Sequence, residues 1–167
     1  MTSRPSARSL RDLLEPPHHV RDRRGRGLRG PLMPPDLPAR RTPASRFDKA
    51  AISAFAELDT HWHDRLTGLD VAVDDIPRML PKDMETIAWP DEVTADGPVP
   101  LARLIHAGVD ARGNPTRAKI ILFRRPIELR AQDDDELPEI LREVLIQQIA
   151  TYLGVDEETV EQGPDAP

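Results

Sequence analysis

The sequence predicts an α+β fold, one small domain behind a basic tail, within a chain of 167 residues. Three observations carry this. Residues 1 to 43 show neither a helical nor an alternating apolar period. Two long stretches further on repeat apolar residues every three or four positions, and between them lie short apolar runs bounded by turn residues. Strands followed by a helix, rather than a strand-helix alternation, point to α+β.

The tail is rich in Pro, Arg and Gly, and buries too little apolar surface to offset its chain entropy, so it reads as disordered. Residues 1 to 46 hold 11 Arg against four acids, a balance of +7, whereas the rest of the chain stands at −13. The two segments are of different kinds. A folded domain is expected over residues 44 to 161, with a disordered end at 162 to 167.

Ser45, with Asp48 three positions on, reads as the capping box of the first helix. Phe47, Ala51, Phe55, Leu58, Trp62 and Leu66 form its apolar stripe, and Gly68 ends it. Leu69, Val71 and Val73 alternate with polar or small residues as in a half-buried strand, closed by Pro77. Residues 78 to 98 read as a loop whose one aromatic is Trp89. A second strand is expected over Val99 to Ile105, and a turn at Gly113-Asn114. Ile120 to Phe123 is the apolar run of a central strand, completing a three-stranded sheet with a hairpin across that turn. The last long helix is opened by Asp133-Asp134-Asp135, tolerates Pro138 in its first turn, and stops at Gly154. Asp156 caps a short final helix, Glu157 to Glu161.

Composition excludes several classes of function. There is no cysteine, hence no disulfide, thiolate metal site or thiol nucleophile. No apolar run approaches the roughly 18 residues of a membrane span, and no secretory h-region is present, so a cytoplasmic protein without membrane partners is expected. Arg outnumbers Lys by 20 to 3, a bias that suggests a GC-rich bacterial genome. His61 and His63 flank Trp62 on opposite sides of a helix and cannot share a metal, and His106 has no acidic partner in its local sequence.

The stretch from Val144 to Glu157, VLIQQIATYLGVDE, is the informative one. It resembles the active-site helix of the minimal-zincin metallopeptidases, whose pattern is H-E-x-x-H-x-x-G-x-x-D. The leading helix from Arg46-Phe47-Asp48, the strand from Leu69 to Pro77, and Ile121 to Glu128 resemble the same family in the same order, over about residues 45 to 160. In that pattern two His at i and i+4 share a helix face and hold one zinc. A third ligand follows the glycine turn, and the Glu acts as general base on zinc-bound water.

On these positions this chain departs from the family. Gln147 stands at the first His, Gln148 at the Glu, Thr151 at the second His, and Glu157 at the third ligand, with Gly154 kept. Neutral amide and hydroxyl oxygens are poor zinc ligands, and an amide is no base near neutral pH. The resemblance therefore implies a degenerate, non-catalytic member without cofactor or metal that works by binding a protein partner. An active zinc peptidase with substitute ligands is the alternative. A third reading places function in the tail. Arg21, Arg23, Arg24, Arg26 and Arg29, interleaved with Gly25, Gly27 and Gly30, can track a nucleic-acid phosphate backbone, although no aromatic is present for base stacking.

Overall fold

The structure, a computed structural model, describes residues 8–9, 42–79 and 86–164. Most of the tail, including the five arginines from Arg21 to Arg29, lies outside the described residues, as do 165–167. Within the tail, Arg8–Ser9 form a two-residue strand, β1.

Helix α1 spans Pro43–Leu66. It starts earlier than the Ser45 capping box predicts. Thr42 is the N-cap, its hydroxyl accepting the Ser45 N–H at 3.1 Å, with Pro43 at the first helical position, where its missing N–H costs nothing. The predicted stripe faces inward, with Phe47, Ala51, Leu58, Trp62 and Leu66 buried.

Strand β2 (Leu69–Asp74) follows directly. The segment expected as a loop instead contains β3 (Val93–Asp96), which turns at Gly97 into β4 (Val99–Ile105). Gly97 has φ +56°, the left-handed conformation that favours glycine, and its carbonyl accepts the Trp89 indole N–H at 2.9 Å. The turn at Gly113 is flanked by a small ribbon, β5 (Gly108–Val109) and β6 (Pro115–Thr116). Strand β7 (Ala118–Phe123) runs on into α2 (Arg124–Arg130), a helix the sequence reading left out.

Among the described residues the sheet has the order β1-β2-β7-β4-β3, wider than the three strands expected. β7 pairs parallel with β2 (Val71 opposite Ile120) and antiparallel with β4 (Ala102 opposite Leu122), so the predicted hairpin across the turn is present. Helix α3 (Leu137–Leu153) packs on α1, β4 and β3. The three aspartates precede it rather than opening it. Asp133 Oδ1 accepts the N–H groups of Asp135 and Glu136, and makes the turn into the helix. Helix α4 (Glu157–Gln162) is tied to α1 by the Trp62 indole, which donates to the Val160 carbonyl at 3.0 Å.

The core lies between the helices and the sheet. Phe47, Leu66, Ile120, Leu122, Leu141, Leu145 and Ile149 are fully buried, each worth about 1.5–3 kcal/mol relative to exposure. At the end of β2, Arg124 pairs with Asp75 at 2.9 Å and with Glu128 at 3.2 Å, fastening α2 to the sheet.

Candidate functional site

The C-terminal half of α3 carries Gln147, Gln148 and Thr151, and their surroundings follow from how the helix ends. Gly154 adopts the left-handed conformation, φ +69°, and its N–H and that of Val155 both donate to the Ala150 carbonyl. The chain then turns, and Asp156 caps α4 by accepting the Thr159 N–H at 2.7 Å. The Thr159 hydroxyl first, and then this N–H, hold the Asp156 carboxyl below its ordinary range. The first turn of α4 is thus brought back beside α3.

On the other side runs β3, an edge strand among the described residues. Between β3, α3 and the first turn of α4 lies an open groove of about 910 Å³. Gln147 and Thr151, one turn apart, line it from α3, and Glu157 lines it from α4. The structure therefore brings three of the four sequence-predicted positions to one groove. Asp91, Asp156, Glu157 and Glu158 give the lining four carboxylates, and no Lys or Arg belongs to it.

Gln148 is placed differently. It is 0% exposed, the one buried polar side chain among the described residues. Its Nε2 donates to Thr94 Oγ1 at 2.8 Å and to the Glu92 carbonyl at 3.3 Å, so the amide joins α3 to β3. Its Oε1 has no hydrogen-bond partner. A carboxylate in its place could not donate to the Glu92 carbonyl, and two oxygens would face each other in a buried seam.

The donor set does not fit zinc. Among the described residues no three His, Asp or Glu side chains converge on one point where a metal ion could be held. The Thr151 hydroxyl donates to the Gln147 carbonyl at 3.0 Å, the back-bonding common for Thr inside helices, and its proton is committed there. The described histidines, His61, His63 and His106, do not line the groove. His63 pairs with Asp59 at 2.9 Å, which raises it above its ordinary value, and His61 is also exposed. His106 does meet an acid, Glu92 at 3.5 Å, across the β3–β4 hairpin, a partner invisible in its local sequence.

Sequence reasoning missed β3 and with it Thr94, which lines the groove opposite α3 together with Asp91, and Glu92, whose carbonyl accepts the Gln148 amide. The signal was present. Asp96-Gly97 is a strong hairpin dipeptide, and Val93-Thr94 has strand propensity.

A second depression, of about 440 Å³, lies between α1 and α3 and is lined by Arg46, Lys49 and Arg142. Two of these cations are already engaged, Arg46 with Asp134 and Arg142 with Glu57 and Glu161. No described helix is long and apolar enough to cross a membrane.

A family model described as a zincin-like metallopeptidase matches residues 66–164, from the end of α1 through α4 and more than half of the chain. No curated protein matches the chain.

Proposed function

We propose that this chain, which belongs to the zincin-like metallopeptidase family, is a binding domain whose zinc site has been lost and whose cleft is kept for a partner. The observation that carries the reading is Gln148. At the position of the family's general base stands a buried amide that spends its donors on Thr94 and Glu92. A zinc peptidase needs a base facing the bound water, and an amide donating into a strand supplies none. Gln147 and Thr151 add no imidazole or carboxylate, which leaves Glu157 as the one favourable donor of the set.

The test is metal analysis of purified, untagged full chain, together with melting in the presence of zinc. Less than a tenth of an equivalent of zinc and no rise in Tm are expected, because a ligand of the native state must stabilise it by mass action. One zinc bound per chain overturns the reading. The double substitution Gln147→His, Thr151→His checks the groove's geometry. With Glu157 it makes a three-ligand set, and zinc binding is expected to appear, weakened about 10- to 100-fold for want of supporting contacts. A folded double variant that binds no zinc shows that these positions do not converge.

A further inference from the structure

We propose that the cleft between α1 and α3 binds a small anion carrying two linked phosphoryl groups. This site stands apart from the groove beside β3 and does not depend on how that groove is used.

The cleft follows from residue size. Ala50 and Ala54 of α1 and Pro138 of α3 belong to its walls, and such short side chains leave the space between the helices unfilled. The depression measures about 440 Å³, the size of a small-molecule site.

Its rim is rich in hydrogen-bond donors. Ser45, Lys49 and Ser53 follow one another at intervals of four residues, so they form a row along α1. Neither the exposed Lys49 ammonium nor the Ser53 hydroxyl has a polar partner among the described residues. Arg46 and Arg142 complete the set. Arg46 meets Asp134 at 2.6 Å, and Arg142 meets Glu57 at 3.5 Å and Glu161 at 3.3 Å. A guanidinium has five N–H groups, so these acids hold both heads in place without exhausting their donors. Glu57 is the one carboxylate of the lining, whereas Asp134 and Glu161 lie outside it. Three cations and two hydroxyls against one carboxylate make a cleft opposite in sign to the groove beside β3.

This donor set selects its ligand. A cation is repelled, and a neutral molecule leaves the Lys49 charge uncompensated. A phosphoryl group only accepts, carries the charge, and matches the planar fork of an Arg with two parallel bonds. The spacing favours two such groups. Arg142 is held at Glu57, which lies 11 positions beyond Arg46, or about 16 Å along α1. A single phosphate ion engages one end of that row. Two linked phosphoryl groups engage both, with Lys49 between them.

Pyrophosphate titrated into the isotope-labelled full chain, followed by backbone amide shifts, tests this. Saturable shifts of residues 45–57 and 138–142 are expected, with Kd about 0.1–1 mM at low salt, since the neighbouring acids compete for the guanidiniums. Inorganic phosphate is expected to bind about tenfold more weakly. Lys49→Ala is expected to weaken pyrophosphate about tenfold and Ser53→Ala about threefold, while Lys49→Arg stays within about twofold of the parent. Arg112→Ala, which removes an exposed cation from the turn between β5 and β6, is expected to change nothing. Unshifted amides of β2 and β7 in each variant check the fold. A sugar bisphosphate shifting the same residues names the source. Tighter binding than pyrophosphate assigns an organic phosphate, and weaker binding an inorganic one.

The absence of shifts at these residues up to about 10 mM pyrophosphate overturns the proposal. So do shifts confined to residues 1 to 41, which would assign the anion to the basic tail. Equal binding by the parent and Lys49→Ala also overturns it. Duplex DNA that shifts the same residues at lower concentration than either anion overturns it in favour of a nucleic-acid surface.

Discussion

Helix α3 is two things along one cylinder. The side given to the core is dry, with Leu141, Val144, Leu145 and Ile149 buried among apolar neighbours of α1 and the sheet. The seam it makes with β3 is polar, with Gln148 reaching Thr94 and Glu92 and with Gln147 and Thr151 bordering the groove. A dry face stabilises whatever it touches, and almost any apolar residue of the right size serves. A buried amide with one oxygen unsatisfied stabilises little, and is tolerated where something other than stability selects it. The difference separates what holds the fold from what shapes the groove.

The dry face should give the largest effect when broken. Leu145 and Ile149 are fully buried, and truncating either to Ala removes apolar contacts and leaves a cavity. A loss of about 2–5 kcal/mol is expected in urea unfolding. A loss below about 1 kcal/mol would mean that α3 packs loosely, and the contrast between its faces would collapse.

The polar seam should answer differently to two substitutions of similar size. Gln148→Met removes the amide and its unsatisfied oxygen together, and a change below about 1.5 kcal/mol is expected, since the Glu92 carbonyl keeps the Leu104 N–H at 2.8 Å. Gln148→Glu is expected to cost about 2–3 kcal/mol at pH 7, because a carboxylate is buried facing a carbonyl. The sign with pH follows. Burial raises the introduced group above its unfolded value near 4.3, so the folded state binds the proton more tightly. Stability then falls as pH rises from the unfolded pKa through the folded one, and below both values most of the loss is recovered. A loss independent of pH would place the introduced carboxylate in solvent, facing the groove, where it could serve as a base after all.

The same contrast explains what the sequence made legible. The stripe of α1, the runs of β2, β4 and β7, and the dry face of α3 are periodic, and each was readable because burial selects one apolar residue every turn or every second residue. Strand β3 escaped because its residues are short or polar and mostly half-buried, which leaves no apolar period. Helix α2 escaped because its opening Arg124-Arg125-Pro126 looks like an interruption. It is fixed by distant partners, the Arg124 pairs with Asp75 and Glu128 and the Arg125 N–H donated to the Asp75 carbonyl. That Gln147, Thr151 and Glu157 could border one groove was legible in their spacing, once the resemblance had singled out these positions and Gln148. That Gln148 turns from the groove into the seam was not, since its partner Thr94 lies 54 residues away.

The smallest effect belongs to the groove's own rim. Asp156 both caps α4 and adds charge to the groove, and Asp156→Asn separates these roles, because Asn caps a helix about as well as Asp. The parent's carboxyl lies below its unfolded value through its bonds to Thr159, so its ionised form contributes stability above the unfolded pKa, lost as pH falls through the folded one. The variant has no such group. Its stability should sit slightly below the parent's at pH 7, and the gap should close as pH falls below about 4, read from urea melts at matched ionic strength. If the groove repels itself strongly, the opposite appears at low salt. Removing one of four clustered carboxylates would then stabilise the variant at pH 7, and the gain would shrink as salt screens the remaining three. That reversal would show that the acidic lining is held at a cost to the fold, whereas the dry face of α3 is not.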